Sequence, residues 1–250
     1  MEISGIEISH SDPPYVIAEA GVNHTGDIER AVALVEAAAA AGADAVKFQT
    51  FSADRLVTPD APVAPYQREQ TGKRTQASVL RRLELSAADH ERLIDACDAA
   101  DITFLSTPFD IQSADLLDRL DVAAIKVGSG DLTNLPLLAH IASFGRPMLI
   151  STGMATMPEV EEALAAVRAV DASLPVAVLH CTSAYPCPPA EANLAAIASM
   201  RAQLDVPVGY SDHTTGVETP GLAVCAGARI LEKHLTLDRT LAGPDHAASL

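Results

Sequence analysis

The chain is predicted to fold as a TIM (β/α)8 barrel, a single domain spanning 1–250. Three observations predict it. Short β-rich runs alternate with Ala/Leu-rich amphipathic segments, which implies a parallel sheet. The runs are apolar nearly throughout, as strands buried on both faces are. The alternation has eight beats, and a closed barrel of eight typically takes about 250 residues. A doubly wound open sheet is the structural rival. No GxGxxG follows the first strand, which counts against its dinucleotide-binding form.

The strands are read at YVIAEAG (15–21), DAVKFQTF (44–51), ITFLSTP (102–108), AAIKVGSG (123–130), PMLISTG (147–153), VAVLHCTS (176–183), VPVGYSDH (206–213) and RILEKHLT (229–236). Helical patterns fall at 28–41, 86–100, 112–120, 134–143, 157–169, 192–203 and 217–226. Ser86 precedes an acidic first turn, as an N-cap does. Gly42 ends the first helix, and Gly145-Arg-Pro147 stops the fourth. The second βα connection, 52–85, is long and carries Pro59, Pro62 and Pro65, the pattern of a lid or binding loop. No helical pattern follows the eighth strand before Leu250, so an eighth helix is expected to be missing.

Composition bounds the function. A net charge of −16 argues against nucleic acid and anionic membranes as partners. No apolar run approaches the ~18–20 residues of a membrane span, and MEISGIEISH has the wrong pattern for a signal peptide. Cys97, Cys181, Cys187 and Cys225 show no CxxC and read as reduced thiols of a cytoplasmic protein. Of four lysines, Lys47, Lys126 and Lys233 sit on or at the ends of strands, where a lysine suggests an anionic ligand.

A barrel gathers its chemistry at the C-terminal ends of its strands. Those ends read Glu19, Asn23, His24; Lys47, Gln49; Ser106, Thr107; Lys126, Ser129, Asp131; Ser151, Thr152; Ser183, Tyr185; Ser211, His213; and Glu232, His234. Lys47 and Lys126, ringed by Thr107, Ser129, Ser151, Ser183 and Ser211, suit a phosphate with a carboxylate. A Schiff-base lysine and a lysine paired with a core carboxylate are the alternatives. His213 and His234, on consecutive strands, suit a divalent metal that polarises a carbonyl, with buried hydrogen-bonded imidazoles as the bland reading. Glu19, inside a barrel, needs a partner such as Lys47 or Lys126. Asp245 is a candidate acid or base. Cys181 follows His180 directly, and adjacent strand residues face opposite ways, so the two do not form a nucleophile–base pair.

Taken in order, IAEAGVNHTG (17–26), GADAVKFQTF (42–51), FLSTPFD (104–110), KVGSGDLTN (126–134), LISTGMAT (149–156), LHCTSAYP (179–186), VGYSDHT (208–214), EKHLTLD (232–238) and GPDHAASL (243–250) resemble the N-acetylneuraminate (sialic acid) synthase family, including legionaminic and pseudaminic acid synthases. The resemblance covers essentially the whole chain. It implies a transferase that condenses phosphoenolpyruvate with an N-acetylhexosamine aldehyde such as N-acetylmannosamine. The implied cofactor is a divalent metal, Mn2+ foremost, with Mg2+ or Co2+ as alternatives. His213 and His234 would hold the metal. Lys47, Thr107, Lys126, Ser129, Ser151 and Ser211 would surround phosphoenolpyruvate, and Glu19, Gln49, Tyr185 and Asp245 would face the sugar or the attacking water. Asp131 stands where many neuraminate synthases have Glu, and Ser183 where many have Asn, which leaves a legionaminic or pseudaminic acid precursor open as the sugar. The family's C-terminal antifreeze-like domain, which lends an arginine to the partner subunit in a homodimer, has no counterpart in 1–250. A barrel that binds phosphoenolpyruvate or sugar without turnover is the remaining alternative.

Overall fold

A computed structural model of the chain describes residues 1–9, 11–62 and 75–250. It opens with a small antiparallel hairpin, β1 (Glu2–Ile3) and β2 (Ile6–Glu7). The connecting Ser4 and Gly5 both have positive φ, 48° and 78°, the two-residue turn that suits the twist of a hairpin. The barrel strands follow: β3 (Tyr15–Gly21), β4 (Ala45–Thr50), β5 (Thr103–Pro108) and β6 (Ile125–Val127). They continue with β7 (Met148–Ser151), β8 (Val176–His180), β9 (Val208–Asp212) and β10 (Ile230–His234). All eight pair in parallel with their sequence neighbours, and β10 closes on β3. The sheet is therefore the barrel the alternation predicts, with no free edge.

Helices Ile28–Ala40, Ala87–Ala99, Ile111–Arg119, Leu135–Ala142, Met157–Val170, Ala195–Gln203 and Glu218–Cys225 join successive strands. Their ends obey the local chemistry. Ser86 and Asp89 exchange side-chain and backbone bonds in a capping box. Gly42 takes a φ of 77° just past the first helix, where a side chain would be strained. After β10 the chain makes the short turn His246–Ala248. Within the long second connection, helices Ala53–Leu56 and Gln76–Leu80 are described, and Pro65 lies outside the described residues.

Alternation along the strands builds two cores. Outward residues such as Val46, Phe48, Phe104, Ile125, Ile150 and Val178 pack against Leu34, Leu93, Leu117, Leu138 and Val160 of the helices. Inward residues Tyr15, Ile17, Ala45, Leu105, Leu149, Leu179 and Ile230 fill the lower barrel. Ile3 and Ile8, from the hairpin and its exit, close that end from below. Each is at most 3% exposed, so each contributes about 1.5–3 kcal/mol relative to exposure. The apolar plug leaves the opposite, C-terminal end of the barrel for polar groups. Among the described residues, no helix is long and apolar enough to cross a membrane.

Candidate active site

Two residues beyond the apolar layer, the inward positions turn polar. Glu19 follows Ile17, Lys47 follows Ala45, Thr107 follows Leu105, and Ser151 follows Leu149. With Lys126, Ser211 and Glu232 they floor a cavity of about 320 Å3. Its walls include Gln49, Ser129, Ser183, Tyr185, His213, His234 and Asp245. Of the residues assigned to catalysis, substrate or metal, all line this cavity except Asp131. The expected strand 123–130 ends at Val127, and Ser129–Asp131 forms a 3-10 turn. At three residues per turn, two positions along is two-thirds of a rotation, so Asp131 leaves the wall that Ser129 lines. Its carboxylate accepts a bond from the Asn134 side-chain amide at 3.2 Å instead.

Other strand-end residues have structural duties. Asn23 donates to the Leu235 carbonyl at 2.8 Å and to Ser249 at 2.9 Å. Ser106 bonds Thr50 on the outer face at 2.7 Å, and the Thr152 hydroxyl donates to the Leu179 carbonyl at 3.3 Å. Lys233 corrects the reading that strand lysines serve an anion. It faces outward, where it pairs with Asp212 and donates to the Thr214 carbonyl at 2.7 Å. His180 and Cys181 point oppositely, as the alternation requires. His180 bonds the Ala192 carbonyl on the helical side at 2.9 Å, whereas the Cys181 thiol reaches the cavity wall, 3.1 Å from Ser129 Oγ. The expectation of a lid is not met by the described part of 52–85, none of which lines the cavity.

The floor is a charge network. Lys47 Nζ lies 2.7 Å from Glu19 Oε2 and donates to Thr107 Oγ1 at 3.1 Å. Glu232 stands between the lysines, 3.8 Å from each ammonium, and accepts from Ser211 Oγ at 2.9 Å. Lys126 donates to Ser151 Oγ at 2.6 Å and to the Val127 carbonyl at 3.2 Å. Burial works against the Lys47 ammonium, but Glu19 and Glu232 outweigh it and hold its pKa above the ordinary lysine value. Lys126 has weaker compensation, and burial carries its pKa below that value. Burial pushes Glu19 up to about 7. Glu232 resists burial through Lys126 and Lys47 and falls to about 2. It is thus the anionic member of the pair, a role that its place among the polar strand ends does not by itself assign. Its inward aim was readable, because it lies two residues before His234 on one strand and so shares its face.

His213 and His234 face each other with ring centroids 5.7 Å apart, and Tyr185 packs 4.1 Å from the His213 ring. His213 Nδ1 is 2.7 Å from the Thr182 carbonyl, which fixes it as the protonated nitrogen and leaves the Nε2 lone pair available. His234 Nδ1 is buried without a hydrogen-bond partner. Burial lowers both pKa values, His234 to about 4, so both rings are neutral near pH 7. Neutral, oriented imidazoles and an orphaned ring nitrogen fit a divalent cation. Among the described residues no ready cluster of three or more His, Cys, Asp or Glu exists, so further ligands would come from solvent or substrate. Asp245 lies half-buried on the same wall, its pKa raised by burial against the pull of His234.

Comparison with known proteins agrees with this architecture. The NeuB family model matches residues 34–250. The chain is 46% identical to the N,N'-diacetyllegionaminic acid synthase of Campylobacter jejuni, over 94% of this chain and 71% of that protein. It is 47% identical to the synthase of the same name from Legionella pneumophila, over 94% and 67%. The crystal structure of an N-acetylneuraminic acid synthetase from Leptospira borgpetersenii, in complex with citrate, superposes with a TM-score of 0.88 at 34% identity, covering 100% of this chain and 82% of that one. A barrel of this topology, matched along its length by synthases of nonulosonic acids, belongs to the NeuB family, the sialic acid synthase family.

Proposed function

We propose that the chain is a nonulosonic acid synthase, a transferase that condenses phosphoenolpyruvate with an N-acetylhexosamine in its open-chain aldehyde form. The observation that carries this reading is the meeting of two buried lysines and two neutral histidines around one cavity. A small dianion matches Lys126, whose ammonium spends two of its three donors on Ser151 and Val127, together with Ser129 and Ser211. Lys47 and Thr107 support its other end. His213 and His234 would hold the divalent cation, Mn2+ foremost. A cation bound there would polarise a carbonyl oxygen.

In the reaction, C3 of the enol forms a bond to the aldehyde carbon, whose oxygen takes up a proton. Water adds at C2 and gives up a proton, and the bond from C2 to the phosphate oxygen breaks, releasing phosphate. A carboxylate held near neutrality can give or take those protons. The pKa of Glu19, raised to about 7, supports it in that role, and burial moves Asp245 in the same direction, while Glu232 stays anionic and balances the lysines.

A second reading concerns the sugar. Ser183, on the cavity wall, differs from the usual neuraminate pattern, and two relatives at 46% and 47% identity carry the name N,N'-diacetyllegionaminic acid synthase. An amino sugar with a second acetamido group is therefore the favoured alternative to N-acetylmannosamine.

The test is phosphate release from phosphoenolpyruvate with Mn2+ and a panel of such sugars, with products identified by mass spectrometry. Release that requires both sugar and metal is expected. Phosphoenolpyruvate binding by calorimetry, with no release for any sugar, would replace the enzyme with a binding protein.

A further inference from the structure

On the outer face of the barrel, behind the two histidines, lies a largely buried ion pair that the cavity does not touch, its lysine side chain 12% exposed. Asp212 and Lys233 are register partners on β9 and β10, and the Lys233 ammonium contacts Asp212 Oδ2. Asp212 is 2% exposed. Besides Lys233 it accepts from Tyr210 Oη at 3.1 Å, from the Thr214 backbone N–H at 3.0 Å and from Thr214 Oγ1 at 3.0 Å. Four donors use the full acceptor capacity of a carboxylate. Lys233 adds a bond to the Thr214 carbonyl at 2.7 Å, so it grips the chain just past His213.

Stability alone is a poor reason for such a pair. Replacing a buried ion pair with packed apolar side chains is often neutral or stabilising. What the pair does fix is geometry. Asp212 lies between Ser211 and His213, and Lys233 between Glu232 and His234, and those four neighbours all line the cavity. Because side chains alternate, fixing the outward member of each triplet fixes the two inward ones. A slip of one residue between β9 and β10 would turn His213 out of the cavity.

We propose that the Asp212–Lys233 pair is a positioning device that sets the separation and aim of the His213 and His234 imidazoles, and through them the affinity for a divalent cation. This rests on the reading of those histidines as the metal site. Losing a group hydrogen-bonded to a metal ligand weakens metal binding by about 10–100-fold; this pair acts through the backbone that carries the ligands, and a loss of about tenfold is expected here.

The test is Mn2+ titration of the metal-stripped full chain, followed by electron paramagnetic resonance of the free ion, with thermal unfolding in parallel. Lys233→Met, and the double variant Asp212→Leu with Lys233→Met, should bind Mn2+ about tenfold or more weakly. The double variant should unfold no earlier than the parent, which separates positioning from stability. Thr214→Val, which deletes one hydroxyl at constant shape, covers the case in which the charge variants fail to fold, and a several-fold loss is expected. Folded variants that bind Mn2+ within about twofold of the parent overturn the proposal while leaving the metal site standing. A parent chain that binds no Mn2+ overturns the metal site itself, and this proposal with it.

Discussion

Glu19 and Lys47 form a buried ion pair at 2.7 Å, with side chains 3% and 4% exposed, at neighbouring register positions on β3 and β4. Gly21, at a φ of 52°, accompanies a register shift in β3 directly after Glu19. A Cβ there would come within 3.1 Å of Glu19 Oε1, so glycine leaves the carboxylate its place. The two partners are unequal. Lys47 has a second carboxylate, Glu232, at 3.8 Å, whereas the close cation of Glu19 is Lys47. Lys47→Met removes the close cation of a carboxyl already raised to about 7, so Glu19 takes up a proton, and the unsatisfied buried group should lower unfolding stability by about 1–3 kcal/mol in urea. Glu19→Gln keeps Lys47 paired with Glu232 and should be milder, while still slowing turnover. Equal stability of Lys47→Met and the parent would remove the pair from any account of the fold.

The histidines give a second prediction. The His213 side chain is tied to one backbone carbonyl, and His234 Nδ1 has no partner at all, so neither ring carries much of the fold. His213→Ala or His234→Ala should abolish metal-dependent phosphate release at saturating Mn2+. Circular dichroism should register an unchanged secondary structure and a melting temperature lowered by a few degrees, as for a modest core truncation. Metal-stimulated turnover that survives either substitution would place the cation elsewhere.

The fold was legible because its signals are local and repeated. Helices read at 28–41 and 86–100 form at Ile28–Ala40 and Ala87–Ala99, since Gly42 and Ser86 punctuate them chemically. The hairpin of β1 and β2 escaped, because two-residue strands carry no period to read. Its one cue was the Ser4-Gly5 dipeptide. The lining of the cavity was legible where strands run straight to the rim, as at Lys47 and Ser211. It failed where the strand stops early, at Asp131. It also failed where residue type was read without its face. Lys126 and Lys233 are both strand lysines, and only the alternation of side chains separates one in the cavity from one behind it.

Gly153 offers a test of how tightly the cavity wall is packed. Its N–H donates to Ser129 Oγ at 2.9 Å. A Cβ there would collide with Ser183 Oγ and come within 2.8 Å of Ser129 Oγ and 2.9 Å of Cys181 Sγ. Gly153→Ala should destabilise by about 1–3 kcal/mol through overpacking. On the proposed reading it should also raise the KM for phosphoenolpyruvate, through Ser129, and for the sugar, through Ser183, since both line the cavity. Adding Ser183→Ala removes the nearest colliding atom and should recover part of the loss. The two changes should therefore be non-additive in chemical denaturation, as contacting residues are. Strict additivity would show that the wall gives way without involving Ser183.

Acid sensitivity is predicted from a residue that the cavity does not use. His24 is fully buried, and its Nδ1 accepts the Gly26 backbone N–H at 3.0 Å, which leaves the Nε2 proton without a partner. Burial lowers its pKa from 6.5 to about 4, with His90 adding to the effect. The fold therefore accommodates the neutral ring and resists the charged one. Stability from this site is fully present above pH 6.5 and is lost as pH falls towards 4. At about 1.4 kcal/mol per unit of pKa shift, the loss should reach about 3 kcal/mol. His24→Asn can still accept the Gly26 N–H through Oδ1 but does not titrate. Urea midpoints measured from pH 7 to pH 4 should fall more steeply for the parent than for this variant. The difference between the curves reports His24 together with its coupling to His90. Parallel curves would mean that the His24 ring is hydrated or charged in the folded chain.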